Sequence, residues 1–533
     1  MQNPSTETWW QTFQHTVATA NLTIQPDLNT LPPAYLVIVA ANDWYAVANL
    51  IAQCEMRWVA LWADQQPEQF VVNACYEQLG NYLIVRTHIA LHLPRIQSLT
   101  PLFPATHRME RHIQDLYGVI FLDSLDTRRW TRHQAWQADE FPLRKQFPLQ
   151  RELPHQPTPP DFEYPFMSAT GTGVYEIPVG PVHAGVIEPG HFRFQAVGEQ
   201  VLNLEERLGY VHKGVEKLAE GRDAASLARL AGRVSGDTTV GHTWAACMAM
   251  ERAAAVEVPL RGLMLRAIMA ERERIANHLG DIGAICNDVG FAFALYQFHR
   301  LKELWVRMNE RCFGHRMMMD CMIPGGVKTD LTPSMIALQR QQLLDIVVEL
   351  KELEGIIERQ MGLEDRLATT GILSQEQAKK LGCLGYVGRA SGQTFDVRKH
   401  APYSPYEQFQ FGVRVATLTT GDVEGRMMVR WQEIYISLEL LGQILVCLPE
   451  NGEISTPWQE VGAAEGIGMV EGWRGEIFSY VRFDENGKVS RYFPRDPSWL
   501  NWQALELLVM GNIVPDFPVC NKSVNGSYAG CDL

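Results

Sequence analysis

A proline-rich segment, Pro154–Pro165 (PHQPTPPDFEYP), divides the chain into two parts of different character. Proline lacks a backbone N–H donor and restricts φ, so this stretch is predicted to be extended, as part of a linker over residues 151–171. At 533 residues the chain is also too long for one ordinary hydrophobic core. The sequence therefore predicts two domains, residues 1–150 and residues 172–533.

The part before the linker is predicted to be a small α+β domain. Tyr35–Ala41 (YLVIVAA) and Tyr82–Thr87 (YLIVRT) are rich in β-branched and aromatic residues, a composition typical of strands. Asp43–Cys54 is predicted to be a helix. The two strands and the helix together indicate a compact unit that ends near Gln150.

The part after the linker is predicted to be mainly helical. A short strand-rich section (YEIPVGPV, then HFRFQAVGEQVLNL) comes first. Long helices are predicted over Pro259–Ile285, Leu331–Met361 and Gly425–Leu448, and Thr332 is well placed to cap the second of them. Long helices with mixed apolar faces suggest a bundle core, so the whole chain is assigned to the α+β class.

The chain is acidic, with 47 Lys and Arg residues against 61 Asp and Glu residues and a formal net charge of -14. Nucleic-acid binding rests on neutralisation of phosphates by Lys and Arg, so no nucleic-acid partner is expected. Met1–Asn21 shows no basic segment followed by an apolar one, so no signal peptide is expected. Tyr35–Ala41, the best apolar stretch, is far shorter than the roughly 20 residues of a transmembrane helix. We therefore expect a cytoplasmic chain that other subunits hold at a membrane.

The cysteines contain no C-x-x-C pair, which excludes the commonest paired-thiolate sites, such as zinc ribbons and simple Fe–S loops. Scattered thiols are typical of a reducing compartment. Cys520 and Cys531 are eleven residues apart, not three, and are interpreted as buried or idle thiols. The ten cysteines are Cys54, Cys75, Cys247, Cys286, Cys312, Cys321, Cys383, Cys447, Cys520 and Cys531.

The segment Glu110–Phe121, followed by Pro142–Lys145, is strongly charged. By itself it indicates a solvated or interface surface in preference to a catalytic site. It resembles the end of the small hydrophilic C subunit of respiratory complex I, which carries E-R-x-x-x-D-x-x-G-x-x-F and P-L-R-K patterns. The resemblance implies an interface, because this domain docks partner subunits in the family and carries no cofactor.

A second set of motifs follows the linker. Its members are Gly180–His183, Glu188–Arg193, Gly209–Lys217, Gly325–Val327, Arg389–Gly392, Asp396–Arg398 and Gly421–Asp422. Together they resemble the large subunit shared by complex I, where it is the D subunit, and the membrane-bound nickel–iron hydrogenases of the formate hydrogenlyase type. The same order of two domains occurs in fused C/D subunits and in formate hydrogenlyase large subunits, which accounts for the length of this chain.

The resemblance implies four cysteine thiolates for nickel and iron, two in an R-x-C-G-x-C-x-x-x-H motif and two in a C-terminal D-P-C-x-x-C motif. In the first motif, Arg233–His242 (RVSGDTTVGH), Ser235 and Thr238 stand at the thiolate positions. In the second motif these positions hold Ser527 and Gly530. A hydroxyl is hard where nickel favours soft ligands, and glycine has no side chain. The metal site is therefore predicted to be absent and the protein nickel-free.

In complex I the emptied metal cavity is the head-group end of a quinone tunnel, where a loop histidine and a tyrosine bind the quinone carbonyl oxygens. The resemblance places His191 at the histidine position and Gly236 at the tyrosine position. Tyr528, inside the second motif, is a candidate to point into the same cavity. We expect a quinone or a similar acceptor to bind at His191, although half of the family's binding pair is missing.

Two carboxylates are candidates for proton transfer. Glu216 matches a glutamate that carries protons near the metal centre of hydrogenases, and the alternative is a structural salt bridge with Lys213 or Lys217. Asp237 either supplies the cavity with a protonatable group or caps the following helix, since Asp is a favoured N-cap residue.

Other polar residues are interpreted as structural. His242 is predicted to be a satisfied core histidine, and Glu271–Arg274 with His278 is predicted to be a helix face with pairs at i,i+3 and i,i+4 spacing. An ion-paired scaffold around the cavity is predicted for Arg389, Asp396, Arg398 and Asp422.

The resemblance implies an oxidoreductase subunit that is active only within a membrane-attached complex, on the cytoplasmic face of the inner membrane. It would pack against a small Fe–S subunit, accept electrons from the terminal cluster of that subunit, and join membrane-embedded ion-translocating subunits. No cofactor is expected in this chain itself. The second hypothesis is a structural coupling subunit whose cavity does no redox chemistry. The four replaced ligands argue against a third, an active nickel–iron hydrogenase.

Overall fold

The computed structural model describes residues 4–27, 30–133, 136–137, 139–150, 164–183, 187–407 and 412–533. Residues 151–163, most of the predicted linker, lie outside the described residues, so its extended conformation stays a prediction. The chain divides into two compact units, and each is described by itself. The first consists of Met1–Pro165, Glu216–Leu218 and Lys380–Gly382, and the second of Phe166–Val215, Ala219–Lys379 and Cys383–Leu533.

The first unit is built on a five-stranded sheet of order β1-β2-β5-β4-β3, in which β2 and β5 are parallel and all other neighbours are antiparallel. A short parallel pair, β6 and β7, lies outside this sheet. The elements are α1 (Pro4–Thr19), β1 (Gln25–Asp27), β2 (Tyr35–Ile38), α2 (Trp44–Gln53), β3 (Arg57–Gln65), β4 (Gln69–Gln78), β5 (Asn81–Ala90), β6 (Arg95–Gln97), a 3-10 turn (Pro104–Thr106), α3 (His107–Tyr117) and β7 (Ile120–Leu122).

The sequence predicted only some of the strands of this sheet. The strands predicted at Tyr35–Ala41 and Tyr82–Thr87 are β2 and β5, and the helix predicted at Asp43–Cys54 is α2. The prediction missed β3 and β4, which are buried along almost their whole length. A strand that is covered on both faces lacks the alternation of polar and apolar residues that marks a half-exposed strand.

From residue 174 onward the chain is mainly helical. Its elements are β8 (Val174–Val179), β9 (His191–Val197), β10 (Gln200–Arg207), α4 (Val215–Ala219), α5 (Ala224–Ala231), α6 (Thr239–Ala253), α7 (Leu260–Asp288), α8 (Ala292–Phe313), β11 (Met322–Ile323), β12 (Gly326–Val327), α9 (Pro333–Ile357), α10 (Met361–Leu367), α11 (Gln375–Lys380), α12 (Gly385–Ala390), α13 (Val397–His400), α14 (Val423–Cys447), β13 (Ala464–Gly472), β14 (Gly475–Phe483), β15 (Val489–Arg495), α15 (Ser498–Leu508), a 3-10 turn (Val514–Asp516), α16 (Phe517–Val524) and α17 (Tyr528–Asp532).

The predicted helix bundle is confirmed, with α7 at its centre. This helix is buried on all sides and packs against α6, α8, α14 and α16. The predicted long helices correspond to α7, α9 and α14. Thr332 caps α9 as predicted, since its Oγ1 accepts a hydrogen bond of 3.3 Å from Met335 N. Helix α9 ends at Ile357, before the predicted end at Met361, where the separate helix α10 begins.

The antiparallel sheet β13-β14-β15 was not predicted, and it positions the site described below. Helix α6 lies directly on β13. The approach is close because β13 contains glycine at the crossing points: a Cβ added to Gly466 or Gly468 would lie 2.2 Å from Ala249 O or 2.1 Å from Ala245 O. The turn between β13 and β14 is thereby held next to the start of α6.

Among the described residues, no helix is both long and apolar enough to cross a membrane.

Candidate functional site

The structure brings the four predicted ligand positions together, although the two motifs lie far apart in the sequence. Ser235 Oγ lies 2.8 Å from Ser527 Oγ across 292 residues. Gly530 N donates to Ser527 Oγ at 2.9 Å, which makes Ser527 the N-cap of α17. Thr238 immediately precedes α6, and the Ser235, Thr238 and Ser527 side chains are buried. The frame of the two motifs is therefore preserved without thiolates.

An ion pair fills the space beside these hydroxyls. Arg474, in the turn between β13 and β14, reaches Asp237 with two parallel contacts of 2.7 Å, Nη1 to Oδ1 and Nη2 to Oδ2. Its Nη1 also donates to Thr238 Oγ1 at 3.0 Å, and its Nε donates to Asn525 O at 2.7 Å. Ser235 Oγ donates to Asp237 Oδ1 at 2.8 Å. The Arg474 guanidinium thus bonds to both motifs, at Asp237 and Thr238 in the first and at Asn525 in the second.

This set of side chains does not fit a nickel–iron centre. The hydroxyls bond to one another and to a carboxylate, and a guanidinium cation lies against Thr238 Oγ1 and Asp237. Nickel and iron here would need soft thiolates, and a fixed positive charge opposes any cation nearby. Within the described ranges, no group of three His, Cys, Asp or Glu side chains is arranged to hold a metal ion.

Asp237 is the carboxylate partner of Arg474, which bears on both of its predicted roles. Burial alone would raise the pKa of Asp237, but the Arg474 guanidinium holds the pKa well below its usual range. An acid that stays ionised is poorly suited to carry protons at neutral pH, so the predicted proton-transfer role is weakened, although it stays a prediction. The alternative, a cap on α6, is wrong, because Asp237 bonds to side chains of Arg474, Ser235 and Thr238, and Thr238 holds the N-cap position.

Glu273 on α7 occupies the place that a cap on α6 would take. It accepts hydrogen bonds from Val240 N at 2.8 Å and Gly241 N at 3.1 Å. Burial, aided by the nearby Asp237 carboxylate, raises the pKa of Glu273 to about 8 in spite of these bonds. The sequence predicted Glu273 as part of the paired helix face Glu271–Arg274 and did not place it at this site. One feature of the sequence could have indicated its role: Glu273 is an acidic residue in the middle of the helix α7, whose apolar spacing predicts a central position in the bundle.

His242 is a core histidine, as predicted, but it is satisfied only at Nε2, because among the described residues its Nδ1 has no hydrogen-bond partner. Its Nε2 lies 2.8 Å from Oδ2 of Asp496, and both side chains are fully buried. Asp496 also borders Gly530, because a Cβ on that glycine would lie 2.8 Å from Asp496 Cγ. The space next to Gly530 is therefore filled by a carboxylate that the sequence motifs do not indicate.

The predicted acceptor-binding residues lie next to this cluster, since Tyr528 follows Ser527. His191 is the first residue of β9, buried against Phe166, and burial lowers its pKa so that the ring is neutral. The Tyr528 hydroxyl lies 3.3 Å from His183 Nε2, so its histidine partner is His183 and not His191. Tyr528 also packs against Gly190, where a Cβ would lie 2.4 Å from its ring. The roles of His191 and Tyr528 in acceptor binding stay predictions.

Glu216 groups with the first unit, whereas the other predicted cavity residues belong to the second. Its Oε1 lies 2.6 Å from Nε2 of the buried His112, whose Nδ1 lies 2.7 Å from Thr131 Oγ1. Lys213, one of its predicted partners, instead donates to Arg233 O and Val234 O. The other predicted partner, Lys217, donates to Arg144 O at 3.0 Å. A proton-transfer role for Glu216 stays a prediction, and His112 is the partner that the sequence did not indicate.

The predicted ion-paired scaffold is formed in part. Arg398 and Arg389 both contact Asp396, at 2.8 and 3.1 Å. Asp422 does not belong to it: its carboxylate accepts from Gly425 N at 2.8 Å and caps α14. The predicted i,i+3 pair between Glu271 and Arg274 is present at 3.4 Å, but both residues are fully buried within the same network.

Comparisons with known proteins agree with this architecture. The family model for the respiratory-chain NADH dehydrogenase 30 Kd subunit matches residues 37–153, and the model for nickel-dependent hydrogenase matches residues 213–280. The model for the respiratory-chain NADH dehydrogenase 49 Kd subunit matches residues 288–465 and 453–533. The fold and site thus define a hydrogenase-type large subunit that follows a 30 Kd-type domain.

Individual relatives show to which family the chain belongs. Hydrogenase-4 component G of Escherichia coli (strain K12) is 32% identical over 456 residues, which cover 85% of this chain and 78% of that protein. Formate hydrogenlyase subunit 5 of the same strain is 31% identical over 453 residues, with coverages of 85% and 79%. The fused C/D subunit of NADH-quinone oxidoreductase from Bacteroides fragilis (strain YCH46) is 30% identical over 403 residues, with coverages of 72% and 75%. The chain belongs to the family of large subunits that these hydrogenase components share with fused C/D subunits.

A solved structure shows the same fold. A chain from the membrane-bound sulfane sulfur reductase, an archaeal respiratory membrane complex, superposes with a TM-score of 0.64 at 25% sequence identity. The match covers 69% of this chain and all of that chain.

Proposed function

We propose that this chain is the nickel-free large subunit of a membrane-attached redox complex. In this proposal it passes electrons from an Fe–S cluster of a partner small subunit to a quinone or a similar acceptor. The observation that carries the proposal is the Arg474–Asp237 ion pair, which lies among the replaced ligand positions of a hydrogenase-type large subunit. Family membership supports the complex, and the ion pair supports a chemistry other than hydrogen turnover.

The acceptor would bind where His191, His183 and Tyr528 lie beside the replaced motif. Reduction of a quinone to a quinol takes two electrons and two protons, so the site needs hydrogen-bond donors for two oxygens and a source of protons. The Tyr528 hydroxyl is a suitable donor, because burial raises its pKa and keeps it protonated. For His191 to be the second donor, its ring would have to exchange a present contact, Nδ1 with Gly180 O at 3.4 Å or Nε2 with Arg193 Nε at 3.3 Å. Glu273 is the better proton source at the cavity, because its pKa of about 8 leaves it protonated near neutrality.

The structural neighbour suggests a second acceptor. That chain belongs to a sulfane sulfur reductase complex, and the match covers all of it. Gly236, at the position of the missing quinone-binding tyrosine, also favours an acceptor other than quinone. We therefore propose sulfane sulfur as the alternative substrate of the same site, and both acceptors are included in the test.

The test uses the intact complex, purified with its partner subunits. We expect less than stoichiometric nickel, and acceptor-dependent oxidation of the electron donor that is lost in His191→Ala. His92→Ala, at an exposed histidine of the first unit, is the matched control and should retain full activity. Stoichiometric nickel would overturn the proposal in favour of a hydrogenase. Full activity of His191→Ala with both quinone and sulfane sulfur would show that the acceptor does not bind at His191.

The competing hypothesis is a coupling subunit without redox chemistry of its own. It predicts that donor oxidation persists in His191→Ala and Tyr528→Phe, while ion translocation by the complex is uncoupled from it. Measurement of both activities on the same preparation separates the two hypotheses.

A further inference from the structure

A buried cluster of charged side chains lies behind the turn that carries Arg474. Its members share one property, that each is at most 2% exposed and is bonded to at least one other member. They are three arginines (Arg274, Arg389 and Arg398), four carboxylates (Glu271, Asp396, Glu433 and Glu471) and one histidine (His278).

The cluster is continuous. Arg398 joins Glu271 and Asp396, each at 2.8 Å. Arg389 contacts Asp396, Glu433 and Glu471. Because these contacts are excluded from water, the total charge of the cluster has a large effect on its free energy.

The charges do not balance if every carboxylate is ionised. Three guanidinium groups face four carboxylates, which leaves one negative charge unless His278 or one carboxyl holds a proton. His278 Nε2 lies 2.8 Å from Glu433 Oε2, and among the described residues its Nδ1 has no hydrogen-bond partner. A second proton on His278 would thus be buried without an acceptor, which is unfavourable. The missing proton therefore belongs to a carboxyl group.

Geometry selects Glu471 among the four. Glu271 is bonded to two arginines and to the hydroxyls of Tyr406 and Ser437, each at 2.6 Å. Asp396 and Glu433 also have two arginine partners each. The Glu471 carboxyl contacts one arginine, Arg389, whose Nη2 it shares with Asp396, and its Oε2 accepts from the uncharged Val397 N at 3.0 Å.

The electrostatics agree with this selection. Burial alone would raise every carboxyl pKa, but the arginines lower the pKa of Glu271, Asp396 and Glu433 below the usual range. Burial and the Asp396 carboxylate raise the pKa of Glu471 to about 7 in spite of Arg389. Two carboxyl groups at one guanidinium behave as a pair that shares a proton.

Groups on neighbouring elements leave the imbalance unchanged. Glu476 on β14 lies opposite Glu471, but it is neutralised by Arg495 on β15 at 2.5 Å. Arg430 near His278 is paired with Asp281 at 3.1 Å. The remaining neighbours are uncharged hydrogen-bonding groups, namely Val397 N, Tyr403, Tyr406 and Ser437. His400 Nδ1 accepts a hydrogen bond of 3.1 Å from Asp396 N.

We propose that this cluster holds a single exchangeable proton, that the Glu471 and Asp396 carboxyl groups at Arg389 share it, and that the cluster is a proton store directly behind the replaced metal site. Glu471 lies three residues before Arg474 in the same hairpin. Arg274 binds the backbone of this hairpin, donating to Glu471 O at 2.7 Å and Gly472 O at 2.9 Å. The next residue, Trp473, donates from Nε1 to Asp237 O at 3.1 Å. A change in the proton content of the cluster therefore acts on the residues that position Arg474 and Asp237.

A matched pair of variants in the full-length chain tests the assignment. Glu471→Gln puts a neutral amide of the same shape in place of one carboxyl of this proton-sharing pair, so it should fold with an unfolding midpoint at pH 7 close to that of the wild type. Glu433→Gln removes an ionised carboxylate that binds the same Arg389, so its midpoint should fall markedly. Loss of folding in Glu471→Gln, or a loss of stability equal to that of Glu433→Gln, would overturn the proposal.

Infrared spectroscopy measures the proton directly. The wild-type chain should show a protonated-carboxyl band that disappears as the pH rises through about 7, and Glu471→Gln should lack this component. Glu273→Gln and Asp532→Asn are the controls, because these buried acids also have raised pKa values, about 8 and about 7, and should remove other components only. An unchanged band in Glu471→Gln would refute the assignment, whatever the acceptor of the complex is.

Discussion

The guanidinium of Arg474 forms two parallel 2.7 Å contacts with the Asp237 carboxylate, between two motifs that supply thiolates in nickel–iron hydrogenases. The pair comes from the β13–β14 turn and from the loop before α6. Planar guanidinium and carboxylate groups match in this geometry, which adds orientation to the charge attraction. A salt bridge therefore joins the loop before α6 to the β13–β14 turn at this site, and its contribution to stability can be measured.

Removal of the guanidinium should destabilise the second unit. Arg474→Ala leaves Asp237 without its counter-charge. We expect a cost of about 2 kcal/mol, between the values for a surface pair and a buried pair, because Arg474 is buried but the Asp237 side chain is 38% exposed. Denaturant unfolding of Arg474→Ala, Asp237→Asn and the double variant gives the coupling energy. Strictly additive losses would contradict a coupled pair.

The same pair predicts an acid-sensitive stability. The pKa of Asp237 is lowered in the folded state, so its stabilising contribution is complete above the unfolded pKa of 3.8 and is lost as the pH falls through the folded value. Wild-type protein should lose this contribution in acid, whereas Arg474→Ala should have no comparable loss. Unfolding curves at a series of acidic pH values make the comparison.

A cysteine should reduce the stability of the protein more at position 530 than at position 527. In Gly530→Cys the new Cβ would lie 2.8 Å from Asp496 Cγ, so we expect a loss of roughly 1–3 kcal/mol from overpacking. Ser527→Cys changes one atom and should cost less. Thermal unfolding of the two variants is the measurement, and equal losses would show that the space beside Gly530 is open.

A tyrosine at position 236 should be tolerated. A Cβ on Gly236 meets no atom within 4 Å, so Gly236→Tyr should unfold at nearly the same midpoint as the wild type. If the acceptor is a quinone, the restored hydroxyl adds a hydrogen bond worth about 1 kcal/mol, or several-fold in activity. Gly236→Phe supplies the ring without the hydroxyl. Equal quinone activity of the two variants would count against a quinone at this site.

Glu273 should make stability fall as the pH rises. Its pKa is raised from 4.5 to about 8 by burial, so its contribution is complete below 4.5 and is lost as the pH rises towards 8. Glu273→Gln should reduce the slope of unfolding free energy against pH in this window by about 1.4 kcal/mol per unit. An unchanged slope would show that Glu273 is ionised in the folded protein.

Sequence reasoning located some elements and missed others for physical reasons. Helices α7, α9 and α14 were recognisable because 3.6-residue periodicity extends over more than six turns. Strands β3 and β4 were not, since burial on both faces removes alternation. The partner of Tyr528 was also unpredictable, because His183 and His191 are equally plausible in sequence and differ only in where the chain turns.

The sequence by itself determined that the protein belongs to the family of hydrogenase-type large subunits, and it predicts that Ser235, Thr238, Ser527 and Gly530 stand at the thiolate positions. Both conclusions depend on residue identity at a fixed spacing, which needs no coordinates. Only the tertiary structure decided what occupies the vacated positions. Arg474 lies 237 residues from Asp237, and no local pattern links the two. Their contact exists because β13 packs closely on α6, and such long-range packing is not encoded in any short segment.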